Sequence, residues 1–223
     1  VVTPSQDMVL GCYYLTLEIP GARGEGKVFS DPSEAIAAYD NGLIDLHARI
    51  AVPVKRLGKT TFTEEQQKAL LCTTVGKLIF NEIFPAELPY INVPSKDNLT
   101  KGVPEEYFIY EKGADVREFV KHLPDVEAVK KGFLGVIIAE VFRRFGTTRT
   151  AVILDHIKEL GFRFSTKAGL TIAVADIIVP EVKKDILAQA EAEVEKVLRQ
   201  YRRGLITEEE RYNRVISIWS KAK

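Results

Sequence analysis

Cysteine, histidine, methionine and tryptophan are scarce here: the 223 residues hold two, three, one and one of them. Cys12 and Cys72 stand alone, without the C-x-x-C spacing of a zinc ribbon or redox motif, and read as buried thiols of a reducing compartment. His47, His122 and His156 lie in three separate segments with no helical i, i+4 partner, which argues against a local metal motif. Neither sign of charge is in excess. Thirty-one basic residues against 31 acidic ones leave no long-range field to gather nucleic acid or an anionic membrane. No apolar run reaches the roughly 18 residues of a membrane span, and the N-terminus lacks a basic-then-apolar signal pattern. The expected location is therefore the cytoplasm, with no membrane partner. Internal repeats and low-complexity tracts are also missing.

What is present suits a globular chain. The hydrophobic content of 46% can fill one large or two modest cores. The first residue is not methionine and the last segment still reads as helix at Lys223, so a longer parent chain is expected.

Hydrophobic periodicity predicts mixed structure. "CYYLTLEIP" and "GKVFS" read as strands around a turn containing Gly21, Gly24 and Gly26. Asp31 caps a short helix, with Pro32 at its first position, Glu34 at its third and Asn41-Gly42 at its end. "LIDLHARIAVPV" alternates, so Ile44, Leu46, Ala48, Ile50, Val52 and Val54 are expected inside and Asp45, His47, Arg49 and Lys55 on a wetter face. From Thr73 the period turns helical until Pro85. Residues 85 to 113 hold four prolines and read as an irregular excursion over the surface. "DVREFVKHL", "GFLGVIIAEVFRRFG" and "TRTAVILDHIKELG" read as helices, and "FRFSTKAGLTIAVADIIVP" as a return to extended structure. The fold class is α+β, with a boundary near Pro180 that separates residues 1–178 from 179–223.

Beyond that boundary a strict repeat begins. Leu187, Ala190, Val194, Val197 and Tyr201 are spaced three, four, three, four, the a/d seam of a coiled coil. Gly204 suits a helix C-terminus, and Thr207 with Glu210 forms a T-x-x-E capping box for a second helix, on which Tyr212, Val215 and Trp219 continue the spacing. The short loop makes the helices antiparallel, the first of them about 34 Å long. Such a hairpin is either a solvated surface feature or a docking site. Leu205 and Ile206, apolar at an exposed turn, favour docking.

Motifs suggestive of chemistry fail on inspection. "GARGEGK" nearly meets the phosphate-loop pattern, but Val28 stands where Ser or Thr should hold magnesium. Asp155 and His156 are adjacent on a helix and point apart, and Asp176 lacks the second carboxylate of a two-metal site. No self-contained active site and no metal or cofactor site is predicted.

"VVTPSQDMVLGCYYLT", "LHARIAV", "TTVGKLIFNEIFP", "GFRFSTKAGLTIAVADIIVP" and "RRGLITEEERYNRVISIW" together resemble, in order and over essentially the whole chain, the central part of the largest (β′) subunit of bacterial DNA-directed RNA polymerases, in its Gram-positive form. The resemblance implies that residues 1 to about 178 are the pore region lining the secondary channel, where nucleoside triphosphates pass in and backtracked RNA is extruded. It implies that the hairpin is the rim-helix coiled coil gripped by transcript-cleavage and other channel-binding factors. Residues 91–130 match a stretch that varies between lineages. The N-A-D-F-D-G-D loop that holds the catalytic Mg2+, the bridge helix and the trigger loop have no counterpart here, so the piece alone should be inactive. Its partners would be the rest of β′ and the β, α and ω subunits.

Residue by residue, Gln6 in "PSQD" matches a position facing the channel, where its amide could meet a nucleotide or an RNA end. Its alternative role is to cap a nearby turn. Glu210, Asn213 and Arg214 match factor-contacting rim positions, while Ser217 departs from the aspartate of many relatives. Thr148 and Glu159 stand where the guanosine-tetraphosphate site of some relatives has lysine and tyrosine, although Asp155 is retained, so that site is expected to be absent. The competing readings are a stand-alone coiled-coil adaptor and a small nucleotide-loop enzyme.

Overall fold

The computed structural model describes residues 3–111 and 113–223, which divide into two compact units, Val1–Leu170 and Thr171–Lys223. In the first unit, α1 (Asp7–Thr16), α2 (Pro32–Asp40), β1 (Arg49–Pro53), β2 (Leu70–Thr74), α3 (Val75–Glu82), α4 (Lys96–Lys101), β3 (Phe108–Ile109), α5 (Val116–Lys121) and α6 (Lys131–Ala168) follow in order. The second holds α7 (Lys183–Arg202) and α8 (Glu208–Ala222). Helices with one small antiparallel sheet, in the order β1-β2-β3, make the fold α+β as the periodicity predicts.

The sheet is short. β1 and β2 pair from Arg49 opposite Thr74 to Pro53 opposite Leu70, and β3 adds two residues beside Leu70 and Leu71. Predicted strand "GKVFS" contributes one parallel bridge, Val28 to Ala51. Predicted strand "CYYLTLEIP" is largely helix: Cys12 to Thr16 belong to α1. A segment apolar on all sides satisfies a buried helix as well as a strand, and here packing decides. At Gly11 a Cβ would fall 1.8 Å from the carbonyl oxygen of Gly161 in α6, and at Gly76 of α3 it would fall 1.8 Å from that of Leu15. Glycines on the neighbouring helices thus let α1 sit against both α6 and α3 at backbone distance.

The alternation through "LIDLHARIAVPV" assigns the interior correctly and the exterior wrongly. Ile44, Leu46, Ala48, Ile50, Val52 and Val54 are buried, but so are His47 and Arg49. Both faces are covered: His47 donates or accepts at Nδ1 with the Leu17 carbonyl at 3.2 Å and meets Tyr14 edge-on, and Arg49 is paired as described below. Burial holds the His47 imidazole below its ordinary pKa.

The proline-rich stretch from 85 to 113 is irregular, yet it is core rather than surface. Leu88, Tyr90, Ile91, Leu99 and Tyr107 are buried within it. Buried backbone outside a ladder needs partners, and asparagines supply them. Asn81 accepts from Ile91 N–H at 2.7 Å and donates to the Ile91 carbonyl at 2.9 Å. Asn98 accepts from Asn92 and Val93 N–H and donates to the Tyr90 carbonyl at 2.6 Å. Lys59 closes the other side, its Nζ reaching the carbonyls of Asn81, Phe84 and Pro85 at 3.2, 3.0 and 3.1 Å where α3 ends. Burial pushes its ammonium down to about 8.

The predicted cap Asp31 is in place, accepting from Glu34 N–H at 2.9 Å before α2, and Thr74, a cap the periodicity did not single out, accepts from Lys77 N–H before α3. The two predicted helices after Lys131 are one continuous stretch, α6, broken only at Gly146, whose φ of 72° lies outside the helical region. Thr150 Oγ1 donates to the Gly146 carbonyl at 2.7 Å across the break. "FRFSTKA" continues α6 instead of becoming extended, and only after Gly169 does the chain unwind, through a single turn at Val174–Asp176. There Ile172, Val174 and Ile178 are each more than four-fifths exposed.

Candidate functional site

The hairpin is built from its ends inward. α7 stops in a Schellman motif: Gly204, at φ 71°, donates to the Tyr201 carbonyl at 2.9 Å and Leu205 N–H to the Gln200 carbonyl at 3.1 Å. α8 starts with the predicted capping box, Thr207 Oγ1 accepting from Glu210 N–H at 3.2 Å and the Glu210 carboxylate accepting from Thr207 N–H at 3.0 Å. The tip is therefore fixed by four local hydrogen bonds. At 20 residues α7 is about 30 Å long, shorter than the run of charged sequence suggests.

The seam differs from prediction on both helices. On α7, Ala190 and Val197 are buried and Val194 half-buried, but Leu187 and Tyr201, at the two ends of the predicted seam, are 38% and 39% exposed. On α8, Arg211, Val215, Ile218 and Ala222 face α7, whereas Tyr212 and Trp219 are 59% and 39% exposed. The cause is Arg211. Its guanidinium lies 5.5 Å from the Tyr201 ring centre and bonds the Glu208 carboxylate, with Nε to Oε2 at 3.0 Å. Its aliphatic stem takes the seam position that an aromatic would fill. Arg211 holds the Glu208 carboxyl below its usual range, while Glu208 raises the Tyr201 phenol.

Seen down α8, the helix has three faces about 100° apart in residue phase. Glu210, Asn213 and Arg214, predicted from the resemblance, share one flank of the seam; Tyr212, Ile216 and Trp219 share the other. Arg214 Nη1 donates to Gln200 Oε1 at 3.1 Å, tying its flank back to α7. At the tip Leu205 is 68% exposed and Ile206 half-buried. Glu210 serves the cap with its carboxylate, and Asn213 is exposed.

Gln6 belongs to the first unit. It is exposed, precedes α1, and makes no side-chain capping bond there. Its φ of 47° is the one positive value at a non-glycine among the described residues. Such a conformation costs of order 1–3 kcal/mol and is retained where neighbouring structure enforces it, often at functional sites.

Sequence reading missed a buried ion network in the first unit. Glu18, Arg49 and Lys77 have side chains 4%, 4% and 3% exposed. Arg49 Nε donates to Glu18 Oε2 at 2.8 Å, its Nη1 to the Val120 carbonyl at 3.1 Å and its Nη2 to the Pro124 carbonyl at 2.9 Å; Lys77 Nζ donates to Glu18 Oε1. Burial lowers the Lys77 ammonium and the Glu18 carboxylate opposes that shift. The network ties β1, α3 and the end of α5 together, and Arg49 also borders a cavity of about 550 Å3 beside Pro20, Gly21 and Pro124. The only signal was a Lys on an apolar helix.

Elsewhere, an apolar cavity of about 330 Å3 is bordered by Phe84, Pro85, Thr148, Val152, Ile153 and His156. Asp155 pairs with Lys158 at 2.7 Å, which holds its carboxyl below the usual range. Among the described residues no three His, Cys, Asp or Glu side chains are grouped to hold a metal, and no helix is long and apolar enough to cross a membrane.

Comparison with known proteins gives these features a setting. The model of RNA polymerase Rpb1, domain 3, matches residues 1–177, and the chain belongs to that family. It is similar along its whole length to DNA-directed RNA polymerase subunit beta′ from Halalkalibacterium halodurans, 60% identical over 223 residues, and to those of Bacillus licheniformis at 58% and Bacillus cytotoxicus at 60%. The chain spans 18% of the length of each of these relatives. The resemblance to the Gram-positive β′ form is thus borne out over the entire sequence, and the adaptor and nucleotide-loop readings fall away.

Proposed function

We propose that this chain works as a part of the β′ subunit of a DNA-directed RNA polymerase, the nucleotidyltransferase that copies a DNA template into RNA from nucleoside triphosphates. The observation that carries this reading is the near-60% identity over the full length of the chain to subunits of that name. In this reading residues 1–178 line the secondary channel and residues 179–223 form the rim hairpin at its mouth. The catalytic Mg2+ and the aspartates that hold it lie outside this chain, which is inactive alone. The partners are the rest of β′, the β, α and ω subunits, and, in the intact enzyme, triphosphates and the 3′ end of backtracked RNA. The compartment is the cytoplasm.

Transcript-cleavage and related factors dock on the flank of α8 that carries Glu210, Asn213 and Arg214, with Leu205 and Ile206 at the tip. Support comes from the doubly capped turn and the Gln200–Arg214 tie, which fix the backbone of the tip and the Glu210 and Arg214 side chains so that less entropy is lost on docking. Gln6 contributes its amide to the channel wall, and its strained backbone, with a side chain that makes no capping bond to α1, supports that role over capping. The guanosine-tetraphosphate site of some relatives is absent, in keeping with Glu159 and with the pairing of Asp155 to Lys158. Micromolar affinity for that nucleotide, lost on replacing Asp155, would refute this last point.

The test is a titration of a transcript-cleavage factor against the chain and against Asn213→Lys with Arg214→Glu, which leave the Thr207–Glu210 box intact. Saturable binding lost in the double variant is expected. Equal binding to both, with circular dichroism showing the hairpin folded, would place docking elsewhere.

A further inference from the structure

At its tip the hairpin is joined by polar groups instead of an apolar layer. The last buried seam residue of α7 is Val197, four residues or about 6 Å short of Tyr201. At the level of Tyr201 the seam position of α8 belongs to Arg211, whose side chain is 27% exposed. The backbone bonds of Gly204 and Leu205 shape the end of α7, and the Thr207–Glu210 box shapes the start of α8. None of them joins one helix to the other.

Arg211 makes that join. Its guanidinium holds the Glu208 carboxylate at two points, Nε to Oε2 at 3.0 Å and Nη2 to Oε1, and lies 5.5 Å from the Tyr201 ring centre. Glu208 and Arg211 are three residues apart on α8, so the two-point pair fixes the guanidinium plane; Tyr201 is on α7, so the ring contact carries that fixed plane across the gap. On the other flank Arg214 reaches Gln200. The two ties bracket the residues from Arg202 to Thr207, among them Leu205 and Ile206, the apolar side chains of the turn.

We infer that Arg211, held by Glu208 and facing Tyr201, is a clasp that sets where Leu205 and Ile206 stand, and that it governs factor docking as a positioning residue without touching the factor. The inference deepens the docking role proposed above and rests on it. An unclasped tip spends part of its time in arrangements that cannot dock, so the apparent association rate falls with the competent fraction. Once docked, the contacts are the same, and so is the rate at which they break.

The test combines stopped-flow docking of a transcript-cleavage factor with amide exchange in the factor-free 223-residue chain. Arg211→Met keeps the stem in the seam and removes the guanidinium. It should slow association about fivefold and leave dissociation within about twofold of the unaltered chain. In the free chain it should speed exchange of the Gly204 and Leu205 amides about fivefold and leave that of Val197 unchanged, which separates a loosened tip from an unfolded hairpin. Tyr201→Leu should act alike. Either change opens the clasp, so both together should slow association no more than about fivefold, where independent sites would give about twenty-five-fold. Faster dissociation at an unchanged association rate would make Arg211 a contact and overturn the inference, as would multiplying effects of the two changes or Leu205 exchange indifferent to them. If exchange quickens as expected but the unaltered chain takes up no factor, the docking reading fails and the clasp stands.

Discussion

The two units answer the same question, how to hold helices together, in opposite ways. In residues 3–170 the helices meet at glycines, with α1 touching α6 and α3 backbone to backbone, and charged groups are taken inside and paired. In residues 171–223 one narrow seam joins two helices, the charges stay in water, and apolar side chains remain uncovered from Ile172 to Trp219. The first unit therefore has little tolerance for added atoms and the second little to lose from them. One is built for rigidity of placement, the other for surface.

That contrast predicts a steep gradient of mutational cost. The largest effect falls on Gly11→Val: its side chain has no room before the Gly161 carbonyl, and the first unit should lose more than about 4 kcal/mol, seen as loss of its cooperative thermal transition while α7 and α8 stay helical. Arg49→Met strands the Glu18 carboxylate with Lys77 alone and frees the carbonyls that end α5. About 3–5 kcal/mol is expected in denaturant titration, and part of it should return when Glu18→Gln is added.

Lys59 sharpens the comparison through pH, because a cation is buried only in the first unit. Its folded pKa of about 8 lies below the ordinary 10.5, so between these values the unfolded chain holds more protons and the stability contributed by Lys59 rises with pH. Against Lys59→Met, which cannot titrate, the wild-type chain should gain about 2 kcal/mol from pH 8 to 10.5, measured by urea unfolding. The smallest effect belongs to the hairpin. Thr207→Ala removes one side of the capping box and should cost about 1 kcal/mol, appearing as faster amide exchange in the first turn of α8 and nowhere in the first unit.

What the sequence disclosed follows the same division. The hairpin was readable because its forces are local: a heptad seam, a glycine with positive φ and a capping box all act within a few residues. Arg211 is the exception, since the choice between its stem and the aromatic of Tyr212 depends on what α7 presents opposite. In the first unit local rules named the interior of "LIDLHARIAVPV" but not the burial of His47 and Arg49, whose partners are Leu17, Glu18 and the end of α5. The helical state of "CYYLT" depended on glycines at 76 and 161, and the core position of residues 88 to 107 on asparagines at 81 and 98. Of the site residues, Leu205 and Ile206 followed from the turn itself, whereas Glu210, Asn213, Arg214 and Gln6 rested on resemblance, and the strain at Gln6 is visible only in the backbone.

Gly146 has a mechanical meaning. A 38-residue helical stretch would otherwise act as a single beam, carrying any torque at one end to the other. With one residue at φ 72° and the Thr150 hydroxyl spanning the gap, α6 is two beams whose relative direction is set by a single pair of torsions.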